Sequence, residues 1–209
     1  MPDPALNIEG VMRGGDLYRQ QQDARGEWNL EELSGRIVEL SGDRANSLLT
    51  VSMGLVLEAQ RAGEPVAWVA ADEATFFPPD VAEHGVDLAA LPVVRVDGAR
   101  RAGRAADKLL RSGAFGLVVI DLPEQATLPN PLMRRLQTLA EEHGTALLCL
   151  TRKPEDAPSL GSFVSLRGIA RRERVGEDRF TCRVDIVRDK RRAPGWSWEE
   201  ECCGPPGLR

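Results

Sequence analysis

Five short apolar runs recur along the chain, each separated from the next by residues with helical periodicity. They are RIVEL (36–40), PVAWVA (65–70), PVVRV (92–96), FGLVVID (115–121) and TALLCLT (145–151). Strands apolar on both sides must be covered on both sides, and helices between them supply the cover, which is the pattern of a parallel sheet. Helices are expected at about 47–62, 79–84, 99–112 and 130–143. Gly63, Gly85, Gly113 and Gly144 follow these runs, and Asn130-Pro131 reads as a cap followed by proline at the first helical position. Two later runs, 163–175 and 179–190, alternate apolar and polar residues around Gly-Glu-Asp and predict an antiparallel hairpin. The expected fold class is α/β, a mainly parallel sheet with helices on both faces and a C-terminal antiparallel hairpin.

The 209 residues suffice for one core. They divide into an N-terminal arm (1–30), a core (31–192) and a C-terminal tail (193–209). The tail lacks periodicity and reads as an extended arm whose Trp196 and Trp198 must either dock or be disordered. A formal charge of −5 argues against a protein that coats phosphate backbones, while leaving room for a local basic stripe. Arg100, Arg104, Lys108 and Arg111 share one helical face, beside Arg101, and read as a solvated surface.

No basic region followed by an apolar run opens the sequence, and the longest apolar stretches fall short of a membrane span. A cytoplasmic location and no membrane contact are therefore expected. Cys149, Cys182 and the Cys202-Cys203 pair fit no C-x-x-C or zinc spacing, and the first two read as small core residues. His84 and His143 each precede a glycine at an expected helix end, without a metal-ligand neighbour. Neither a hydrolase triad nor a metal site is expected.

The strand RIVEL runs into Ser41-Gly42 and then a long apolar helix, which is where a nucleotide-binding chain keeps its phosphate loop. A working loop, G-x-x-x-x-G-K-[ST], needs backbone N–H groups aimed at the phosphates, a lysine for their charge and a hydroxyl for magnesium. Here Gly42 opens the loop and Asp43, Arg44, Ala45 and Asn46 follow. Ser47 stands where the second glycine belongs, and Leu48 and Leu49 replace the lysine and the hydroxyl. A charge-assisted phosphate contact contributes about 1.5–3 kcal/mol. A serine held in a backbone conformation that favours glycine costs about 1 kcal/mol more. Together these losses weaken binding by about two orders of magnitude or more. Arg44 could substitute as a cation, but its place in the loop points away from where the lysine would sit. Asp121 ends a buried strand, as a magnesium-binding carboxylate would, and reads equally well as a cap on the next turn. Asp72 and Glu73 follow another strand end, as a water-activating carboxylate or as plain loop residues.

The stretch from GRIVELSGDRANSLLT onward resembles the recombinase RecA. The likeness continues through EATFFPP…HGVDL, AADKLLRSGAFGLVVIDL and RVDIVRDKRRAPGW, and covers about residues 30 to 195. The resemblance implies a RecA-like core in which Gly42 to Leu49 match the nucleotide loop, Glu73 or Asp72 the catalytic carboxylate, and Asp121 the magnesium aspartate. It also implies that Arg152 replaces a phosphate-sensing glutamine, and that Arg188 and Lys190 match cations offered to a neighbouring subunit's nucleotide. RecA's two DNA-contacting loops shrink here to LPEQATLP and RKPEDAPSLGS, made acidic by Glu124, Glu155 and Asp156. Direct DNA binding is thus expected to be weak or absent.

With VMRGGDL ahead of the core, the chain is similar to the ImuA-type proteins, RecA-related accessory factors of damage-induced (SOS) mutagenesis. That similarity implies a non-catalytic role in translesion synthesis. The partners would be RecA, or an inactive Y-family polymerase homologue with an error-prone polymerase, or both. Self-association is a further expectation, and no cofactor is expected beyond weak ATP and magnesium. The alternatives are a divergent ATPase and a cell-division inhibitor of the SulA kind.

Overall fold

The computed structural model describes residues 26–43, 46–71, 85–124, 126–176 and 179–203. A short helix α1 (Leu30–Leu33) precedes strand β1 (Ile37–Ser41), and helix α2 (Leu48–Arg61) leads to β2 (Val66–Ala70). Strand β3 (Val93–Arg95) is followed by α3 (Gly98–Arg111), β4 (Leu117–Asp121), α4 (Asn130–His143) and β5 (Ala146–Thr151). Strands β6 (Leu166–Arg174), β7 (Arg179–Asp189) and β8 (Ser197–Cys203) complete the chain.

These strands form one sheet in the order β3-β2-β4-β5-β1-β6-β7-β8. Pairing is parallel from β3 across to β6 and antiparallel from β6 to β8. Every residue of β1, β2, β4 and β5 is buried, because helices cover both faces. Successive side chains point to opposite faces. Val38 and Leu40 therefore join the cluster beneath α2, with Trp68 and Leu148. Ile37 joins the cluster beneath α3 and α4, with Val69, Ile120 and Leu147. Cys149 and Cys182 are buried core residues, and burial pushes the Cys149 thiol far up, which leaves it unreactive.

The expected strands and three of the expected helices are present within three residues of their predicted bounds, the largest difference being the strand expected from 163, which begins at Leu166. The fourth helix, at 79–84, lies outside the described residues. Two readings need correction. Asn130 is the first helical residue and not the cap; Pro129 takes the cap position, without a side-chain hydrogen bond. The hairpin is not the end of the sheet: β8 pairs with β7 from Arg179↔Cys203 to Asp185↔Ser197, which makes a three-stranded meander and docks the tail. Trp196 and Trp198 dock against the core. Trp196 lies so close over Gly26 that a Cβ there would fall 2.4 Å from its ring. As the outer strand, β8 keeps exposed Glu199, Glu200 and Glu201 and has no apolar alternation to announce it.

A buried arginine ties the frame together below the site. Arg36, just ahead of β1, donates to Ser165 Oγ (3.0 Å), Ser165 O (3.1 Å), Glu32 Oε1 (2.8 Å) and Asp189 Oδ1 (2.5 Å). It thus joins α1, β1 and the end of β7. Asp189 also accepts from the backbone N–H of Arg191 at 2.9 Å.

Candidate nucleotide site

The C-terminal ends of β1, β4 and β5 and the start of α2 converge at one edge of the sheet. In open parallel sheets this edge, where the strand order reverses, is where ligands bind. The loop leaving β1 is held by Gly42 N–H, which donates to Thr151 O at 3.1 Å. Asn46 bends back over it: its side-chain amide donates to Asp43 O, and its Oδ1 accepts from Leu48 N–H at 3.0 Å. The first free amide of α2, the kind of group a phosphate would take, is therefore already occupied. Ser47 makes no cap bond and donates instead to Arg171 O at 2.7 Å, tying the loop to β6.

Leu48 and Leu49 do more than omit two functional groups. Leu48 is 4% exposed and belongs to the core under α2. A Cβ on Gly42 would fall 2.7 Å from Asn46 Cβ and 3.1 Å from Leu48 Cγ, so these side chains fill the space above the loop's glycine. What remains is a cavity of about 250 Å³ lined by Gly42, Asp43, Asn46, Leu48, Leu49, Leu150 and Arg152. Small-molecule pockets usually run to about 300–1,000 Å³. Arg44 and Ala45, and the carboxylate candidates Asp72 and Glu73, lie outside the described residues.

Asp121 and Arg152 are brought together. The Asp121 side chain is fully buried, and Arg152 Nη2 lies 2.9 Å from its Oδ1 and 3.2 Å from its Oδ2. Arg152 Nη1 also donates to Leu122 O at 3.2 Å. Burial pushes the Asp121 carboxyl up from the usual range, and the Arg152 charge and hydrogen bond hold that rise in check. The carboxylate that would face magnesium thus has a guanidinium as its counter-ion.

Arg188 and Lys190 are placed apart from this pair. Arg188 Nη1 donates to Gly161 O at 3.2 Å, and Lys190 Nζ donates to Ser162 O. Both fasten the β5–β6 connection. Burial lowers the Lys190 pKa from its ordinary value, and the charge of Arg188 lowers it further. Arg167, Arg188 and Ser159 line an open groove of about 860 Å³ beside that connection.

Glu39 is the residue that reading by motif missed. It sits fully buried in the middle of β1. Its Oε2 accepts from Ser159 Oγ (2.6 Å) and Leu160 N–H (3.0 Å), and its Oε1 accepts from Thr151 Oγ1 (3.2 Å). Lys153 Nζ pairs with Oε1 at 2.5 Å, and Arg167 Nε stands 3.9 Å from Oε2. The signal was available: a glutamate inside an apolar strand cannot stay buried without partners. Glu39 anchors the segment after β5 against the strand that launches the loop.

Among the described residues, no group of three His, Cys, Asp or Glu side chains is placed to hold a metal ion. Nor, among them, is any helix long and apolar enough to cross a membrane.

A parallel sheet with β1 between β5 and β6, a loop and helix after β1, and an aspartate ending β4 define a RecA-like α/β fold. Comparison with known proteins agrees, since the RecA N-terminal domain family matches residues 30–131. Protein RecA of Rubrobacter xylanophilus is 31% identical over 197 aligned residues, which take in 75% of this chain and 56% of that protein. Protein RecA of Nocardioides sp. is 44% identical over 88 residues, 42% of this chain and 25% of that protein. Protein RecA of Corynebacterium pseudotuberculosis is 42% identical over a stretch of the same length. The chain spans only about a quarter to just over half of the length of these relatives.

Proposed function

We propose that this is a non-catalytic RecA-like accessory protein that acts by binding protein partners in damage-induced mutagenesis and translesion DNA synthesis, as the ImuA-type proteins do. The observation that carries the reading is the Arg152–Asp121 ion pair. A magnesium ion at Asp121 would have to displace a cation already paired with a buried carboxylate. The phosphates would meet Asn46 where free amides are needed, and leucines where a lysine and a hydroxyl are needed. The described residues do not fit magnesium-ATP. A fold retained without this chemistry is retained for its surfaces. RecA, and a polymerase-like protein of the Y family with its error-prone partner, are the proposed occupants.

The test is capture from DNA-damaged cells with the full chain as bait, probed for RecA and for the polymerase homologue by name. Capture of either is expected, with loss on deleting residues 1–30; capture of neither would overturn the reading. The survival of Asp121 at the end of β4 favours a second reading, a divergent ATPase. That reading requires a turnover rate that Asp121→Asn abolishes.

A further inference from the structure

We propose that the outward face of α3, extended onto α4 by Arg135, docks on the sugar-phosphate backbone of duplex DNA. Helix α3 carries Arg100, Arg101, Arg104, Lys108 and Arg111, all exposed, while Ala102, Gly103, Ala106 and Leu110 face the core. The two helices approach closely at Gly103, where a Cβ would fall 2.7 Å from Leu132 Cδ2. This brings Arg135 to Asp107 at 2.5 Å. Asp107 also pairs with Arg111 at 2.8 Å, and Asp97 pairs with Arg101. Six cations against these two carboxylates leave four positive charges in excess, on a chain whose net charge is −5. Glu141 and Glu142 lie in the last turn of α4 and bound the patch at that end.

Arg100, Arg104 and Lys108 form the row that matters, at i, i+4 and i+8, with steps of about 6 Å along the helix. Among the described residues, none of the three makes an ion pair or a side-chain hydrogen bond. Three arginines of β6 and β7 differ. Arg171 pairs with Glu155 and Asp185, Arg183 with Asp185 and Glu199, and Arg179 with Glu201. Those three arginines are neutralised by neighbouring carboxylates, whereas the α3 row is not.

The chemistry of the patch selects the partner. Protein interfaces depend on desolvated apolar or aromatic anchors at their centre. The exposed large hydrophobic residues among those described are Leu88, Val175 and Val187, none of them on α3 or α4. Single-strand platforms stack bases on aromatic side chains, and α3, GARRAGRAADKLLR, has none. Guanidinium groups without anchors suit phosphate oxygens, and duplex DNA offers one phosphate charge per about 1.7 Å of its axis. Binding through this face is independent of sequence and steep in salt. Three to four phosphate contacts predict an affinity loss of about 40- to 150-fold between 50 and 200 mM salt.

The test is fluorescence anisotropy of a labelled 25-base-pair duplex with the full chain, set against a variant carrying Arg100→Gln, Arg104→Gln and Lys108→Gln. All three side chains are exposed, and an unchanged thermal midpoint establishes that the variant is folded. The expected result is duplex binding at 50 mM salt, a steep salt dependence, and a log–log slope shallower by about 3 in the variant. Equal binding and slope in both proteins, or no binding at 50 mM salt, would overturn the proposal. So would tighter binding to a single strand of the same length, or a preference for polyglutamate over duplex.

Discussion

Replacing Arg152 with methionine is expected to cost about 3 kcal/mol of stability at pH 8 and far less at pH 4. The cost at high pH follows from leaving the fully buried Asp121 carboxylate without its cation. Breaking a buried ion pair from one side costs about 3–5 kcal/mol, and the partly exposed arginine places this one at the lower end. The pH dependence follows from the direction of the Asp121 shift. Burial raises its carboxyl in the fold, so its contribution is complete below the unfolded value near pH 4 and is lost as pH rises through the folded value. Arg152 limits that rise; without it the folded value climbs further and the loss extends to higher pH. Urea midpoints measured from pH 4 to 8 test this, and a small deficit that does not change with pH would refute it. Adding Asp121→Asn to Arg152→Met should restore most of the loss, because the double variant buries no unpaired charge.

Arg36→Met is the second large effect, expected at about 3–5 kcal/mol. For a chain of this size that is a fall in melting midpoint of about 6–20 °C. Arg36 is buried, and it pairs with Asp189, whose side chain is also fully buried. Methionine fills much of the space but leaves that carboxylate with only Arg191 N–H at 2.9 Å and a long contact from Trp196 Nε1 at 3.4 Å. Calorimetry of the purified variant measures the effect directly. A loss below about 1 kcal/mol would mean that α1 and the end of β7 are held by packing alone.

The parts of this molecule legible in its sequence are those governed by local pattern. Apolar runs gave the buried strands because burial on both faces demands them. The aspartate at the end of LVVID and the leucines in place of a lysine and a hydroxyl were visible as letters. The pairing of Asp121 with Arg152 was not, because it joins residues 31 apart and depends on β4 and β5 lying side by side. Glu39 was legible as an oddity, but its hydrogen-bond partners come from the end of β5 and the segment after it, more than a hundred residues away. Strand β8 escaped because an outer strand with acidic side chains carries no apolar alternation. Arg188 lies in β7 and Lys190 in the turn after it, and both donate to carbonyls of their own chain. The geometry gives them a local task.

Arg152, Asn46 and the two leucines are proposed to keep magnesium-ATP out of this fold. Thermal melting with and without millimolar ATP and magnesium tests it most directly. A ligand at a hundred times its dissociation constant adds about 2.7 kcal/mol, which raises the midpoint of a chain this size by about 5–10 °C. No rise is expected. A rise of that size, removed by Asp121→Ala, would contradict the proposal and make the protein a nucleotide-binding one.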